Sequence, residues 1–224
     1  MPQLPEKLIQ RLEKLKQEQR FNDALKLINT ILVQDPKNKE ALYQVADIQY
    51  RMGEITKAEK PINFLLQDTA TDPMWYYIKG VLEMEKTHRA EAKQQFKKAM
   101  SLMEEDNPEI LRCYGLCEYR SGNREVGLQH LQKAFTVNKY DAEVILNLVE
   151  LYVVEKQYKQ AQKHINYFHS IVSDKRLQCF DKDVAYYTNK LALFEKYLQW
   201  IIERDELPES IYLDMDDDQD NNEE

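Results

Sequence analysis

Residues 111–135 read LRCYGLCEYRSGNREVGLQHLQKAF, and they contain two helix-forming patterns separated by a turn signal at Gly122. Gly115 and Gly127 lie twelve positions apart, one on each side of this turn. Because a residue without a side chain lets two helix backbones approach closely, the spacing predicts an antiparallel helical hairpin.

The pattern recurs along the chain with a period close to 34 residues. Its small residue stands at Ala24, Ala58, Ala92, Gly127 and Ala161, at spacings of 34, 34, 35 and 34. An apolar residue follows each by four positions, on the same helical face: Ile28, Ile62, Phe96, Leu131 and Ile165. A second small residue precedes three of them by twelve positions: Ala46, Gly80 and Gly115. Such a fixed period predicts an architecture of stacked helical hairpins.

Two further segments share these features, namely ALYQVADIQYRMGEITKAEKPI at 41–62 and YYIKGVLEMEKTHRAEAKQQFKKAM at 76–100. With residues 111–135 they resemble the tetratricopeptide repeat family in their small, aromatic and turn positions. The resemblance covers about residues 5–175. It implies an all-α fold, a right-handed superhelical array of about five helical hairpins plus a C-terminal capping helix, and a role in protein binding. It does not name a partner, because one fold serves many functions.

The period divides the chain into a lead, five repeats, a capping helix and a tail. The expected bounds are 1–4 for the lead, then 5–38, 39–72, 73–107, 108–141 and 142–175 for the repeats, 176–205 for the capping helix and 206–224 for the tail. We expect the acidic tail to lack a fixed structure.

Local signals mark helix starts and turns within these repeats. Helix N-caps are predicted at Asp72-Pro73, Asn107-Pro108 and Asp141. Gly53 and Gly122 occupy the turn position, but Thr87 and Lys156 stand there in the third and fifth repeats. Pro61 lies inside a predicted helix, where it removes a hydrogen bond and is expected to produce a kink.

Charge and hydropathy exclude several classes of function. The net charge of −8 arises in the tail, because residues 206–224 hold nine acidic residues and no Lys or Arg. The remainder is close to neutral, so we expect no nucleic-acid binding. No signal peptide or spanning segment is evident in the sequence, and Cys113, Cys117 and Cys179 are too few for a disulfide scaffold. A cytoplasmic protein without membrane insertion is expected.

Catalytic and metal-binding motifs are missing from the sequence. No HExxH, Walker loop, glycine-rich nucleotide fingerprint or nucleophile elbow occurs. Cys113 and Cys117 lie on one predicted helix without a second ligand pair, and they are interpreted as packing residues. We therefore expect neither an enzyme nor a bound cofactor.

The resemblance also implies where a partner would bind. In this family the first helices of successive repeats line a concave groove, and carrying those positions over by phase selects a set rich in tyrosine. Its members are Tyr43, Asp47, Tyr50, Arg51, Met74, Tyr77, Val81, Met84, Glu85, Glu109, Arg112, Leu116, Tyr119, Arg120, Leu146, Glu150 and Val153. Tyrosine and arginine are favoured in peptide-binding hot spots. The groove lacks the lysine and asparagine clamp with which some family members hold a chaperone's C-terminal carboxylate.

The last helix carries two apolar stripes. The stripe expected to pack on the repeats comprises Val184, Tyr187, Leu191, Phe194, Leu198 and Ile201. A second stripe, Leu193, Tyr197 and Trp200, lies off that face, where a solvent-facing cap should be polar. The candidates to cover it are a second copy of the chain in a homodimer, the tail, or a bound partner. The tail itself has two interpretations, a solubilising extension or a short motif that docks in the groove through Ile211, Tyr212, Leu213 and Met215.

Three functional hypotheses follow. The leading one is an interaction module, such as an adaptor, scaffold, assembly factor or co-chaperone, that binds an extended or helical peptide in the groove. A bacterial secretion chaperone of the translocator-binding type is the alternative, which the tandem-repeat layout resembles. An enzyme would need a site that the sequence does not contain.

Overall fold

The computed structural model describes residues 4–68, 72–179 and 184–204. These residues form α-helices joined by short turns, and they divide into an N-terminal unit, residues 1–106, and a C-terminal unit, residues 107–224. The N-terminal unit contains α1 (Glu6–Gln17), α2 (Phe21–Gln34), α3 (Lys39–Arg51), α4 (Ile55–Asp68), α5 (Pro73–Glu85) and α6 (Arg89–Ser101). The C-terminal unit contains α7 (Pro108–Arg120), α8 (Arg124–Val137), α9 (Ala142–Val154), α10 (Tyr158–Ser173) and α11 (Val184–Glu203). The prediction of sequential hairpins followed by a C-terminal helix is confirmed.

The turns of the five hairpins repeat one backbone conformation. Each has a residue with positive φ, and these residues follow the period of the sequence: Gln19, Gly53, Thr87, Gly122 and Lys156. Glycine adopts this conformation without a Cβ penalty, whereas threonine at φ 63° and lysine at φ 57° adopt it at a cost. The period therefore located the turn correctly even where the sequence lacks glycine.

Helix starts are capped as predicted. The side chain of Asp72 accepts a hydrogen bond from the Met74 amide, and Asn107 and Asp141 make the equivalent contacts at the starts of α7 and α9. Asn38, which the sequence analysis missed, caps α3 by accepting from the Ala41 amide at 3.0 Å. Helix α4 is continuous through Pro61, which is buried.

The small residues bring paired helices into close contact. A Cβ placed on Gly127 would lie 2.7 Å from the Gly115 carbonyl oxygen and 2.6 Å from the Tyr119 Cβ. In α5, a Cβ on Gly80 would lie 2.6 Å from the Phe96 ring. The space that a side chain would need is thus already filled by backbone or by an aromatic ring.

Helix α11 packs on α9 and α10 through one apolar stripe. Tyr187, Leu191, Leu198 and Ile201 are all buried there. Val184 was predicted to share this stripe, but it is 41% exposed, since it is the first residue of the helix and precedes the buried turns. Within the predicted capping segment, residues 176–179 are not helical, and Gln178 bonds instead to the backbone beside the start of α9.

Candidate functional site: a cleft between α9 and α11

A cleft of about 590 Å³ lies between α9 and α11 in the C-terminal unit. Its α9 wall is formed by Glu143, Leu146, Asn147, Glu150 and Val153. Its α11 wall is formed by Tyr186, Lys190, Leu193, Phe194 and Tyr197. The structure thereby brings together two sets of residues that the sequence analysis treated separately, the groove positions Leu146 and Glu150 and the apolar positions Leu193 and Tyr197.

Helical periodicity explains why each wall is continuous. Leu146, Glu150 and Val153 follow the four- and three-residue spacing of one helical face, and Lys190, Leu193 and Tyr197 do the same on α11. The other faces of both helices are committed to the core, where residues such as Ile145, Leu148 and Val149 have no exposed surface. The cleft walls are therefore the faces that remain after the core is built.

Polar contacts hold α11 in place beside the cleft. The hydroxyl of the buried Tyr187 donates to the Glu143 carboxylate at 2.9 Å. Burial and this hydrogen bond raise the pKa of Tyr187 above its ordinary value. Two turns further along α11, His169 Nε2 lies 2.7 Å from Glu195 Oε1 and links α10 to α11. Together with the buried stripe, these contacts fix the spacing between the two walls.

The polar groups inside the cleft differ in how they are satisfied. Glu143 accepts from Tyr187, and the Asn147 side-chain oxygen accepts from Arg112 at 3.1 Å. Lys190 lies with its ammonium 5.9 Å from the centre of the Tyr186 ring. Glu150 is exposed and makes no hydrogen bond or ion pair to any part of the chain that the structure describes. The cleft thus presents one free carboxylate between apolar side chains.

Next to the cleft, the rings of Tyr197 and Trp200 form a surface that we call the aromatic rim, and Arg204 lies against it. The rings of Tyr197 and Trp200 stack at 6.1 Å with 22° between their planes. The Arg204 guanidinium lies 4.0 Å from the centre of the Trp200 ring. Leu193 is 61% exposed, and Tyr197 and Trp200 are each 42% exposed. Trp200 itself does not line the cleft but extends its apolar surface along α11.

In the N-terminal unit, most predicted groove residues have partners within the unit. Asp47 accepts from Lys16 at 2.8 Å and from Arg51 at 3.0 Å, and the Tyr50 hydroxyl donates to Glu85 at 3.1 Å. The ring of Tyr43 lies 6.2 Å from that of Trp75, and the ring of Tyr77 lies 6.3 Å from that of Phe96. Burial raises the pKa of Tyr43. Val81 and Met84 are half-buried, whereas Met74 is 46% exposed.

Helix α7 carries the remaining predicted positions. Arg112 makes two hydrogen bonds to the Glu109 carboxylate, at 2.9 Å and 2.6 Å, and Leu116 is only 7% exposed. The Tyr119 hydroxyl donates a hydrogen bond to Glu155. Burial of Tyr119, the larger cause, and this hydrogen bond, the second, raise the pKa of Tyr119 to about 12. Arg120 is exposed. In this helix the predicted groove residues therefore contribute mainly to packing and internal hydrogen bonds.

Comparison with known proteins identifies the fold. A family model described as the TT21 fifth ARM repeats domain matches residues 13–101. No curated protein matches the chain in sequence.

None of the helices in the described residues is long and apolar enough to cross a membrane.

Among solved structures, TTC0263, a thermophilic TPR protein of Thermus thermophilus, is 18% identical with a TM-score of 0.67, covering 84% of this chain and 97% of its own. PilW, a type IV pilus biogenesis factor, is 16% identical with a TM-score of 0.67, covering 92% and 96%. Yeast Tom70 is 15% identical with a TM-score of 0.63, and the match covers 87% of this chain but 40% of Tom70. At these identities the likeness establishes the fold.

Proposed function

We propose that this chain, which has the tetratricopeptide-repeat fold, is a protein-interaction module that binds a segment of a partner polypeptide in the cleft between α9 and α11. Proteins of this fold generally act by binding other proteins, which supports the broad class. The choice of the cleft over other surfaces is argued from its own residues. The proposal is one of binding rather than catalysis.

The observation that carries the proposal is the exposed apolar surface beside a cleft of suitable size. Leu193, Tyr197 and Trp200 expose 61%, 42% and 42% of their surface on consecutive turns of one helix. Contiguous exposed apolar surface of this kind marks interaction sites. The 590 Å³ volume falls within the range of about 300–1,000 Å³ of sites that enclose small molecules, so the cleft has room for side chains of a bound segment. Tyrosine and tryptophan are also the residues most enriched in binding hot spots.

Rigidity of the walls favours binding at this site. Because the buried stripe of α11, the Tyr187–Glu143 hydrogen bond and the His169–Glu195 contact hold the two helices, a ligand does not have to order them. A site that is formed before binding avoids the entropic cost of arranging its side chains and loops.

The predicted tyrosine-rich groove of α3, α5 and α7 is a less favourable primary site. A ligand that bound there would compete with the contacts that Asp47, Tyr50, Arg112 and Tyr119 already make. Each displaced hydrogen bond costs about 1 kcal/mol, so only new contacts that exceed this loss would yield net affinity. Met74, which is exposed, remains available for secondary contacts.

The proposal is tested by selecting short random peptides on the immobilised full chain and measuring their affinities by calorimetry. We expect the double variant Leu193→Ala, Tyr197→Ala to weaken binding by about 30-fold or more, since it removes two anchors without changing the charge of the cleft. Val33→Ala is the matched control, because Val33 is an 83% exposed apolar residue on α2. Circular dichroism should show unchanged helicity in both variants. Selected peptides that all bind the double variant as tightly as the wild type would contradict the proposal.

A further inference from the structure

We infer that the segment bound in the cleft is amphipathic and basic, with an apolar side chain between the two walls and a lysine or arginine that pairs with Glu150. This inference rests on the proposed function and specifies the chemistry of the partner. Its basis is the charge and hydrogen-bonding state of each polar group that lines the cleft.

Glu150 is the group that determines the sign of the ligand charge. It lies on the α9 wall, one turn after Leu146 and three residues before Val153, so apolar side chains flank it along the helix. In the free protein the carboxylate is exposed and hydrated. A ligand that covers it removes this water, and a buried carboxylate without a partner is strongly unfavourable. Binding therefore favours a ligand that supplies a cation at this position.

The other polar groups of the cleft already have internal contacts. Glu143 accepts from Tyr187, and Asn147 accepts from Arg112. Lys190 on the opposite wall lies near the Tyr186 ring, and it forms no ion pair with Glu150. Of the two carboxylates in the lining, Glu143 lies near the Arg112 guanidinium as well as the Tyr187 hydroxyl, whereas Glu150 has neither kind of contact. The unpaired Glu150 therefore favours a basic ligand over an acidic one.

The aromatic rim supplies apolar surface next to the cleft. Arg204 lies with its guanidinium 4.0 Å from the centre of the Trp200 ring, which is a cation–π contact. The Tyr197 ring, stacked beside Trp200 and 42% exposed, also lines the cleft. Arg204 thus occupies the Trp200 ring, and the exposed part of Tyr197 offers an apolar surface on which the aliphatic part of a ligand's lysine or arginine can pack.

Acidic segments fit the cleft less well. Such a segment would place carboxylates near Glu143 and Glu150, and like charges in contact are repulsive. The acidic tail of this chain, including Ile211–Met215, has the wrong charge for the cleft and lies outside the described residues. A partner of opposite charge is therefore the better occupant.

The experiment uses peptides selected on the full chain, each made in two forms, one with its Lys and Arg residues and one with glutamine in their place. Affinities are measured for the wild type, Glu150→Gln and Glu150→Lys. We expect Glu150→Gln to weaken the basic form by about 3–10-fold and to leave the neutral form unchanged, since one charge-assisted pair is lost. Glu150→Lys should weaken the basic form by about 10–50-fold, because attraction becomes repulsion.

Lys190→Gln is the matched control, since it removes one charge from the opposite wall. It should not weaken the basic peptides. Both residues are exposed, so these variants are expected to fold. Selected peptides without a basic residue, or equal affinities for wild type and Glu150→Gln, would overturn the inference. If those peptides still lose binding with Leu193→Ala, Tyr197→Ala, the proposed function stands and only the partner chemistry is wrong.

Peptides whose affinity changes neither with Glu150→Gln nor with the double variant of Leu193 and Tyr197 would bind elsewhere, and they would refute both the inference and the proposed function. Sedimentation of the wild type without peptide tests whether the chain instead associates with itself. A dimer that Leu193→Ala, Tyr197→Ala dissociates would mean that a second copy of the chain covers this face, and this too would overturn the inference.

Discussion

The predicted groove positions on α3 and α5 of the N-terminal unit, which we call the α3–α5 face, can be compared with the α9–α11 cleft of the C-terminal unit. Both surfaces include first helices of repeats, but they differ in how far their polar groups are paired within the chain. Asp47 on this face pairs with Arg51 and with Lys16 of α1, and Tyr50 donates to Glu85. In the cleft, Glu150 has no partner among the described residues. The polar groups named on the first surface are paired within the chain, whereas Glu150 is not paired with any described residue.

A second polar cluster in the N-terminal unit shows the same tendency. Lys79 and Lys86 both contact Glu59 and Glu83. Burial alone would raise the pKa of Glu83, but hydrogen bonds from Lys86, His88 and Lys79 outweigh it and lower that pKa. Charged side chains in this cluster therefore stabilise each other rather than presenting free charges.

Equivalent tyrosines help to explain the difference. Tyr50 and Tyr119 occupy the same position two repeats apart, and each donates its hydroxyl to a glutamate of the following hairpin, Glu85 and Glu155. The next equivalent position in the C-terminal unit is Val153, which cannot make this bond and instead lines the cleft. A position in the repeat thus fixes which way a side chain faces, but its neighbours decide whether it binds a ligand or stabilises the array.

The largest effect that we predict is a loss of stability, which should be large for a variant at the α3–α5 face and small for a variant in the cleft. Lys16→Met should lower the free energy of unfolding by about 3 kcal/mol, since the Lys16 side chain is only 6% exposed and its loss leaves Asp47 partly unpaired. Glu150→Gln should change it by less than about 0.5 kcal/mol, because Glu150 is exposed and makes no polar contact with the described residues. Urea denaturation followed by circular dichroism measures both. Equal losses would show that Glu150 is also structural.

A smaller effect concerns how closely the hairpins pack. Gly127→Ala should destabilise the chain by about 2 kcal/mol, because the added Cβ meets the Gly115 carbonyl and the Tyr119 backbone within 2.7 Å. The equivalent position in the N-terminal unit is Ala58, which is fully buried, so the same side chain is accommodated there. Thermal unfolding of Gly127→Ala tests this difference. An unchanged or raised melting temperature would mean that α7 and α8 can separate at little cost.

The smallest effect concerns the turns. Thr87→Gly should stabilise the chain by about 1 kcal/mol, because Thr87 holds φ 63° with a β-branched side chain. Lys156→Gly should stabilise it by a similar or smaller amount. Gly53→Ala is the reverse control, since φ is 75° there and no atom lies within 4 Å of an added Cβ. If Thr87→Gly is destabilising in urea, the positive φ at this turn is not the source of strain.

These contrasts show which parts of the molecule were predictable from sequence. The 34-residue period located the hairpins, and the turn position was correct at Thr87 and Lys156 because packing of the flanking helices imposes it despite the side chain. Asp72, Asn107 and Asp141 were recognised as caps from their position before helical patterns, whereas Asn38 was overlooked although it precedes a similar pattern. Local signals therefore specified most helix starts and turns.

The cleft was only partly predictable. Leu146 and Glu150 were selected by repeat phase, and Leu193 and Tyr197 by their place off the packing face of the last helix, but their proximity depends on how α11 packs against α9. That packing includes the Tyr187–Glu143 bond between residues 44 positions apart, which no local pattern reveals. Whether Glu150 is free or paired depends likewise on tertiary contacts, so its importance is visible only in the folded chain.

The central claim is that a ligand binds the α9–α11 cleft rather than the α3–α5 face. Amide hydrogen exchange of the full chain, measured with and without a saturating peptide selected on it, tests this claim most directly. We predict slower exchange in α9 and α11 when the peptide is bound, and no change in α3 and α5, because bound ligand opposes local opening of the helices that it contacts. Slower exchange in α3 and α5, together with unchanged exchange in α9 and α11, would contradict the account and place binding on the α3–α5 face.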